Sequence, residues 1–183
     1  MTDKTDKTGK TDQTNRTASC GCGDKPTSDC ACQSTAKPLT PAAREMAEEL
    51  YKSLTMGTDS YLHMLPHVGD SRLQTNMTGA LCFYEKQTGK VKAILDAAGV
   101  EAKEGGAMAK MSARAGIAMN TAMDKTDSHI SEMLIEGCTM SVTTALKLQK
   151  HAEGKEGCDE LAAICREWAE FEERHIETLK EFL

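Results

Sequence analysis

From Thr40 to the C-terminus, apolar residues recur every three or four positions in four long stretches. This spacing places the apolar side chains on one face of an α-helix. Residues that end helices separate the stretches: Pro66, Gly99 and the EGKEG segment at 153–157. Four helices of similar length joined mostly by short loops predict an all-α, antiparallel four-helix bundle over residues 40–183.

The ends of these helices have recognisable signals. Thr40 and Pro41 suit the N-cap and first position of the first helix, and Asp70 or Ser71 suits the N-cap of the second. After Gly105-Gly106 the pattern is too long for one helix, so we expect a short connecting helix and a break near 116–124. The third helix is then expected from about Met123 and the fourth from about Asp159.

The third helix is expected to bury one particular stripe of residues. Its centre consists of Ile130, Met133, Gly137, Met140, Thr144 and Leu148. Gly137, Ser141 and Thr144 are small, which predicts close approach of a neighbouring helix. A larger apolar side chain at Gly137 is therefore expected to overpack the seam by ~1–3 kcal/mol.

Residues 1–39 form a different kind of segment. They repeat Thr, Asp and Lys and contain almost no bulky apolar residue, which predicts a disordered arm. The arm carries two C-x-C pairs, formed by Cys20, Cys22, Cys30 and Cys32. Four thiolates satisfy a tetrahedral Zn²⁺, or a soft Cu(I) in lower coordination. The alternative is a flexible tail whose thiols are incidental or redox-reactive.

A second candidate site lies on the fourth helix, where Glu172 and His175 have the Glu-x-x-His spacing. Both positions fall on the apolar face. Ferritin-like bundles build di-iron sites from two such pairs and one glutamate from each remaining helix. Here Glu85 and His129 lie off the apolar faces of their helices, so a di-iron site is not expected. One alternative is a metal site in the bundle, formed by Glu172 and His175 together with Glu85 or His129 if helix rotation brings either residue inward. The other alternative is a simple Glu172–His175 contact near the end of the bundle.

Composition narrows the functional classes. A formal net charge of -6 disfavours nucleic-acid binding, because phosphate contacts dominate that affinity. No apolar run approaches the ~18–20 residues that span a bilayer. The N-terminus has no apolar segment typical of a signal peptide, so we expect a cytoplasmic protein. Eight cysteines in a reducing compartment favour thiols or metal ligands over disulfides.

Two stretches carry a family resemblance: MNTAMDKTDSHISEMLIEGCTM at 119–140 and FEERHIETLK at 171–180. They resemble a family of small, uncharacterised bacterial proteins with a ferritin-like helical bundle. The resemblance covers about residues 44–183 and excludes the cysteine arm. It implies the ferritin-like fold, and the wider class suggests metal handling or redox stress, but it implies no activity or cofactor.

These patterns favour a non-catalytic cytoplasmic bundle whose arm binds Zn²⁺ or Cu(I) for metal buffering or stress response. One competing hypothesis is a ferritin-like metal enzyme that uses Glu172 and His175. Another is a structural or interaction bundle that forms a homodimer through a methionine-rich face. Neither nucleic acid nor a membrane is an expected partner.

Overall fold

The first helix begins where its capping residues predict. In the computed structural model, which describes residues 38–103, 105, 116–117, 124 and 126–183, α1 spans Pro41–Met64. The Thr40 side chain accepts a hydrogen bond from the Ala43 amide, and Pro41 occupies the first turn. A single 3₁₀ turn, Leu65–His67, follows and contains the proline that ends the helix. The predicted arm lies outside the described residues, apart from Pro38 and Leu39.

The second helix, α2, spans Ser71–Ala97 and also follows its sequence signals. The Asp70 side chain caps it by accepting a hydrogen bond from the Arg72 amide at 2.7 Å. Beyond its end, Gly99 has a φ of 69°, a left-handed conformation that glycine adopts without steric cost.

The third helix, α3, spans Asp127–Ala152 and therefore begins later than Met123. Its N-cap is Thr126, whose side chain accepts a hydrogen bond from the His129 amide. The fourth helix, α4, spans Asp159–Leu179, as expected, and a 3₁₀ turn at Lys180–Phe182 follows it. The predicted connecting helix lies mostly outside the described residues, although Gly116 and Ile117 are helical.

Hydrogen bonds at the helix ends fix the relative direction of α1 and α3. The Asp127 carboxylate accepts from the amides of Gly69 and Asp70 at 2.8 and 2.9 Å. This joins the start of α3 to the loop that follows α1. The Thr40 hydroxyl donates to the Glu156 carbonyl at 3.0 Å, so the start of α1 meets the loop after α3. The two helices therefore run in opposite directions.

The four long helices of the described residues contribute to one buried core, in which α1 packs mainly on α2 and α3 mainly on α4. The described residues contain no β-strand, in agreement with the all-α prediction. No helix among them has the length and apolar character needed to cross a bilayer.

The buried face of α3 differs from the predicted stripe. Ile130 is buried as predicted, but Cys138 beside the stripe is buried too, whereas Gly137 is exposed and the Met140 side chain is 71% exposed. No described atom lies within 4 Å of the place where a Cβ would stand at Gly137. The prediction that a larger residue there overpacks a helix seam is therefore wrong. The stripe through Met133 and Gly137 borders a cavity instead of a close helix contact.

Gly57 on α1 lies where the packing of the core leaves no room for a side chain. A Cβ at this position would lie 2.7 Å from Cζ of the Tyr84 ring, closer than real contacts allow. The aromatic ring of Tyr84 therefore occupies the space that a side chain at Gly57 would need.

We expect Gly57→Ala to lower the free energy of unfolding by about 1–3 kcal/mol, because the buried Tyr84 ring has to shift. Urea denaturation measures this change. Gly89→Ala on α2 is the matched control, since no described atom lies near its Cβ position. There the higher helix propensity of alanine should leave stability unchanged or raised. Equal stability of the two variants would contradict the packing role of Gly57.

Candidate functional site

The Glu-x-x-His pair of α4 lies inside the protein. The Glu172 side chain is fully buried and that of His175 is 5% exposed. Neither side chain faces solvent. A buried carboxyl and imidazole are costly unless other groups compensate for lost hydration, so their surroundings need an explanation.

Glu172 receives hydrogen bonds from two aromatic side chains. The Tyr84 hydroxyl from α2 and the Trp168 indole N–H both donate to Oε1, the latter at 2.8 Å. Trp168 lies one turn before Glu172 on α4, which brings its ring over the same helix face. The second carboxyl oxygen, Oε2, is buried and has no hydrogen-bond partner among the described residues.

Burial raises the pKa of the Glu172 carboxyl above its ordinary value, because a charge there would lose hydration. Interactions with Cys138, Tyr84 and Trp168 favour the charged form and offset part of this effect. Burial likewise raises the pKa of the Tyr84 and Tyr61 hydroxyls, so both remain protonated donors. The centre of the protein therefore contains a network of groups whose charged forms are all disfavoured.

His175 extends this network towards α1. Its ring stacks on Phe171 at a centroid distance of 5.4 Å and lies 5.8 Å from the ring of Tyr61. Burial lowers the pKa of His175 to about 4, so its imidazole is neutral at pH 7. Its Nε2 atom is buried and, in the described part of the chain, has no hydrogen-bond partner.

The donor set does not fit a di-iron centre. Within the described ranges, no group of three or more His, Cys, Asp or Glu side chains could hold a metal ion. Glu85 is exposed, and His129 lies at the surface, 3.5 Å from the Glu132 carboxylate. The structure brings neither residue to Glu172, whose Oε1 already receives two hydrogen bonds. The recruitment of Glu85 or His129 to a metal site stays a prediction.

A cavity of about 230 Å³ lies between α1 and α3, beside this network. Small residues leave the space open: Ser53, Gly57 and Ser60 on α1 face Gly137, Ser141 and Thr144 on α3. The aromatic rings of Tyr61, Tyr84 and Trp168 form its inner wall. Every described residue that lines the cavity is uncharged.

Sulfur-containing side chains also line this cavity. Its lining includes one cysteine and four methionines: Cys138, Met56, Met64, Met133 and Met140. The Sγ atom of Cys138 lies 3.5 Å from the Tyr61 hydroxyl oxygen. Burial raises the pKa of this thiol well above its ordinary value, so without a ligand it stays protonated and is a poor nucleophile.

Sequence reasoning missed Cys138 as a central residue. The expected apolar stripe of α3 passed through Gly137, so Cys138 seemed peripheral. The signal that could have found it is the spacing of buried Leu134 and Cys138, which lie one turn apart on α3. The predicted arm ligands Cys20, Cys22, Cys30 and Cys32 lie outside the described residues.

No protein-family model matches the chain, and comparisons with curated proteins and with solved structures find no significant match. The ferritin-like family resemblance therefore stays a prediction.

The neutral state of His175 has a consequence for acid stability. The unfolded chain binds a proton at this histidine near pH 6.5, whereas the folded protein binds it only near pH 4. The stabilising effect of the neutral imidazole is complete above pH 6.5 and is lost as the pH falls towards 4. The expected loss is on the order of 3 kcal/mol.

We expect His175→Phe, which keeps an aromatic ring against Phe171, to remove this acid-dependent loss. The measurement is the free energy of unfolding of wild type and variant between pH 7 and pH 4. As the pH falls, the free energy of unfolding should decrease more for wild type than for the variant. His67→Gln, at an exposed position, controls for general charge effects. A difference between wild type and His175→Phe that is constant across this range would contradict the buried neutral state.

Proposed function

We propose that this protein binds a soft metal ion through sulfur ligands. The observation that supports this most directly is the cavity between α1 and α3, where Cys138 and four methionines meet. Thiolate and thioether sulfurs are soft ligands that prefer Cu(I) and other soft ions over Mg²⁺ or Ca²⁺. A metal held there would sit among uncharged groups and beside the buried network around Glu172.

The arm supplies a second set of sulfur ligands under this proposal. Cys20, Cys22, Cys30 and Cys32 form two C-x-C pairs with seven residues between them. Such pairs suit Zn²⁺ or Cu(I). The role would be metal buffering or protection from metal stress, without catalysis. It requires reduced thiols, which agrees with a cytoplasmic location.

The proposed architecture is an antiparallel four-helix bundle of the ferritin-like kind. Support comes from the four long helices, their common core, and the opposite directions of α1 and α3. Fold-level analogy carries no chemistry by itself. The proposal therefore uses the sulfur ligands of this chain and no di-iron centre.

A second candidate function is the binding of a small uncharged organic molecule in the same cavity. Its volume of about 230 Å³ exceeds the ~150 Å³ of an apolar cavity that accommodates benzene. Three aromatic side chains and Leu134 offer apolar contact, and no charged group is present among the described lining residues. A single-ring molecule without charge would match these walls.

Metal binding by the purified full-length protein tests the leading proposal. Under anaerobic, reducing conditions we expect it to retain Cu(I) or Zn²⁺ after dialysis against a weak chelator. A variant with Ser at Cys20, Cys22, Cys30 and Cys32 should retain less metal, because the arm ligands are lost. Adding Cys138→Ser to that variant should remove the metal that it still retains.

The control is Cys82→Ser, which removes an exposed thiol outside the cavity and should leave the metal content unchanged. Retention of neither metal by the wild-type protein would reject the soft-metal proposal. Binding of an uncharged aromatic probe such as benzene or indole by that metal-free protein, with loss on Gly137→Leu, would then support the second candidate.

A further inference from the structure

Three of the sulfur-containing residues that line the cavity, Cys138, Met64 and Met133, lie towards one end of it. Tyr61 on α1 contacts Cys138 on α3, with 3.5 Å between hydroxyl and Sγ. Met64 lies about one turn beyond Tyr61, and Met133 lies between one and two turns before Cys138. Because α1 and α3 run in opposite directions, these methionines occupy the same end of the cavity that they both line.

We propose that Cys138, Met64 and Met133 form a Cu(I) centre that links α1 to α3. This inference rests on the proposed soft-metal function and deepens it, since it names the ion, the ligands and the structural effect. Met56 and Met140 line the same cavity but are exposed, so they lie nearer its opening.

Charge balance favours Cu(I) at this position. The described residues that line the cavity are uncharged, and the Glu172 carboxyl beside Cys138 already accepts hydrogen bonds from Tyr84 and Trp168, so the ion has to be neutralised mainly by its own ligands. One cysteine thiolate and Cu(I) together have zero net charge, and the thioethers add none. Zn²⁺ with the same ligands would leave a net positive charge in a poorly hydrated site. The cavity should therefore select Cu(I), whereas the four thiolates of the arm suit either ion.

The binding step is a simple exchange of a proton for the metal. The S–H bond of Cys138 breaks, its proton passes to solvent, and an S–Cu bond forms. No electron is transferred, because copper enters and remains as Cu(I). The Tyr61 hydroxyl is placed to donate a hydrogen bond to the resulting thiolate, which is the usual outer contact of a metal ligand.

Methionine flexibility makes this arrangement accessible. The side chain has three rotatable bonds and an adaptable thioether, so Met64 and Met133 are able to turn their sulfurs towards Cys138. Once bound, the metal ties α1 to α3 across the gap that the small residues leave. Binding to the folded state alone also raises the free energy of unfolding, by an amount that grows with the logarithm of the ligand concentration.

The test uses the full chain with Ser at Cys20, Cys22, Cys30 and Cys32, so that only the body is measured. Cu(I) is titrated anaerobically against a chromogenic Cu(I) chelator. We expect one Cu(I) bound per chain, an ultraviolet sulfur-to-copper absorption band, and a higher Tm with Cu(I) than with Zn²⁺ or no metal.

Single substitutions in the chain with the serine arm locate the Cu(I) site. Cys138→Ser should abolish both the absorption band and the rise in Tm. Met64→Leu and Met133→Leu should each weaken Cu(I) binding about tenfold or more while the fold is kept, because the Leu and Met side chains have similar volumes. Met77→Leu is the matched control, a buried methionine of α2 outside the cavity, and should bind Cu(I) as tightly as its parent.

Three outcomes would overturn the inference, and they are distinguishable. If wild type binds Cu(I) but the chain with the serine arm does not, the arm is the metal site and the soft-metal function stands without the cavity centre. If the serine-arm chain binds Cu(I) equally well after Cys138→Ser, the metal lies elsewhere in the body. If wild type binds no Cu(I) or Zn²⁺, both the inference and the proposed function fail.

Discussion

The arrangement of the interior depends on how one buried carboxyl group is accommodated. Glu172 is fully buried, and its Oε1 accepts hydrogen bonds from Tyr84 and Trp168. Tyr84 comes from α2, so this contact ties α2 to α4 at the centre of the core. The Tyr84 ring in turn occupies the space beside Gly57 on α1. Glu172 and its partner Tyr84 thus connect three helices at the centre of the core.

The cavity follows from the same arrangement. The ring of Tyr84 packs against Gly57, and small residues of α1 and α3 line the space of about 230 Å³ between the two helices. Uncharged groups and five sulfur-containing side chains line it. Thiolate and thioether ligands bind soft metal ions in preference to hard ones. The polar network and the sulfur-lined cavity therefore share a wall, formed by Tyr61, Tyr84 and Trp168, and Cys138 interacts with Glu172.

Capping residues and periodicity predicted most of the helical structure. Thr40-Pro41, Asp70 and Gly99 act locally, so their sequence signals were sufficient. The inward position of Glu172 also followed from its place on the apolar stripe. Its partner Tyr84 lies 88 residues away in sequence, so periodicity could not reveal the contact. Cys138 was missed because an apolar stripe looks the same whether it faces a core or a cavity.

X-ray absorption at the copper edge identifies the atoms that surround a bound Cu(I). The sample is the full-length protein with a serine arm, loaded with one equivalent of Cu(I) under reducing conditions. We expect copper surrounded by sulfur atoms alone, and we expect this signal to be lost on Cys138→Ser. Copper with nitrogen or oxygen neighbours, or a spectrum that Cys138→Ser leaves unchanged, would contradict a sulfur-bound centre between α1 and α3.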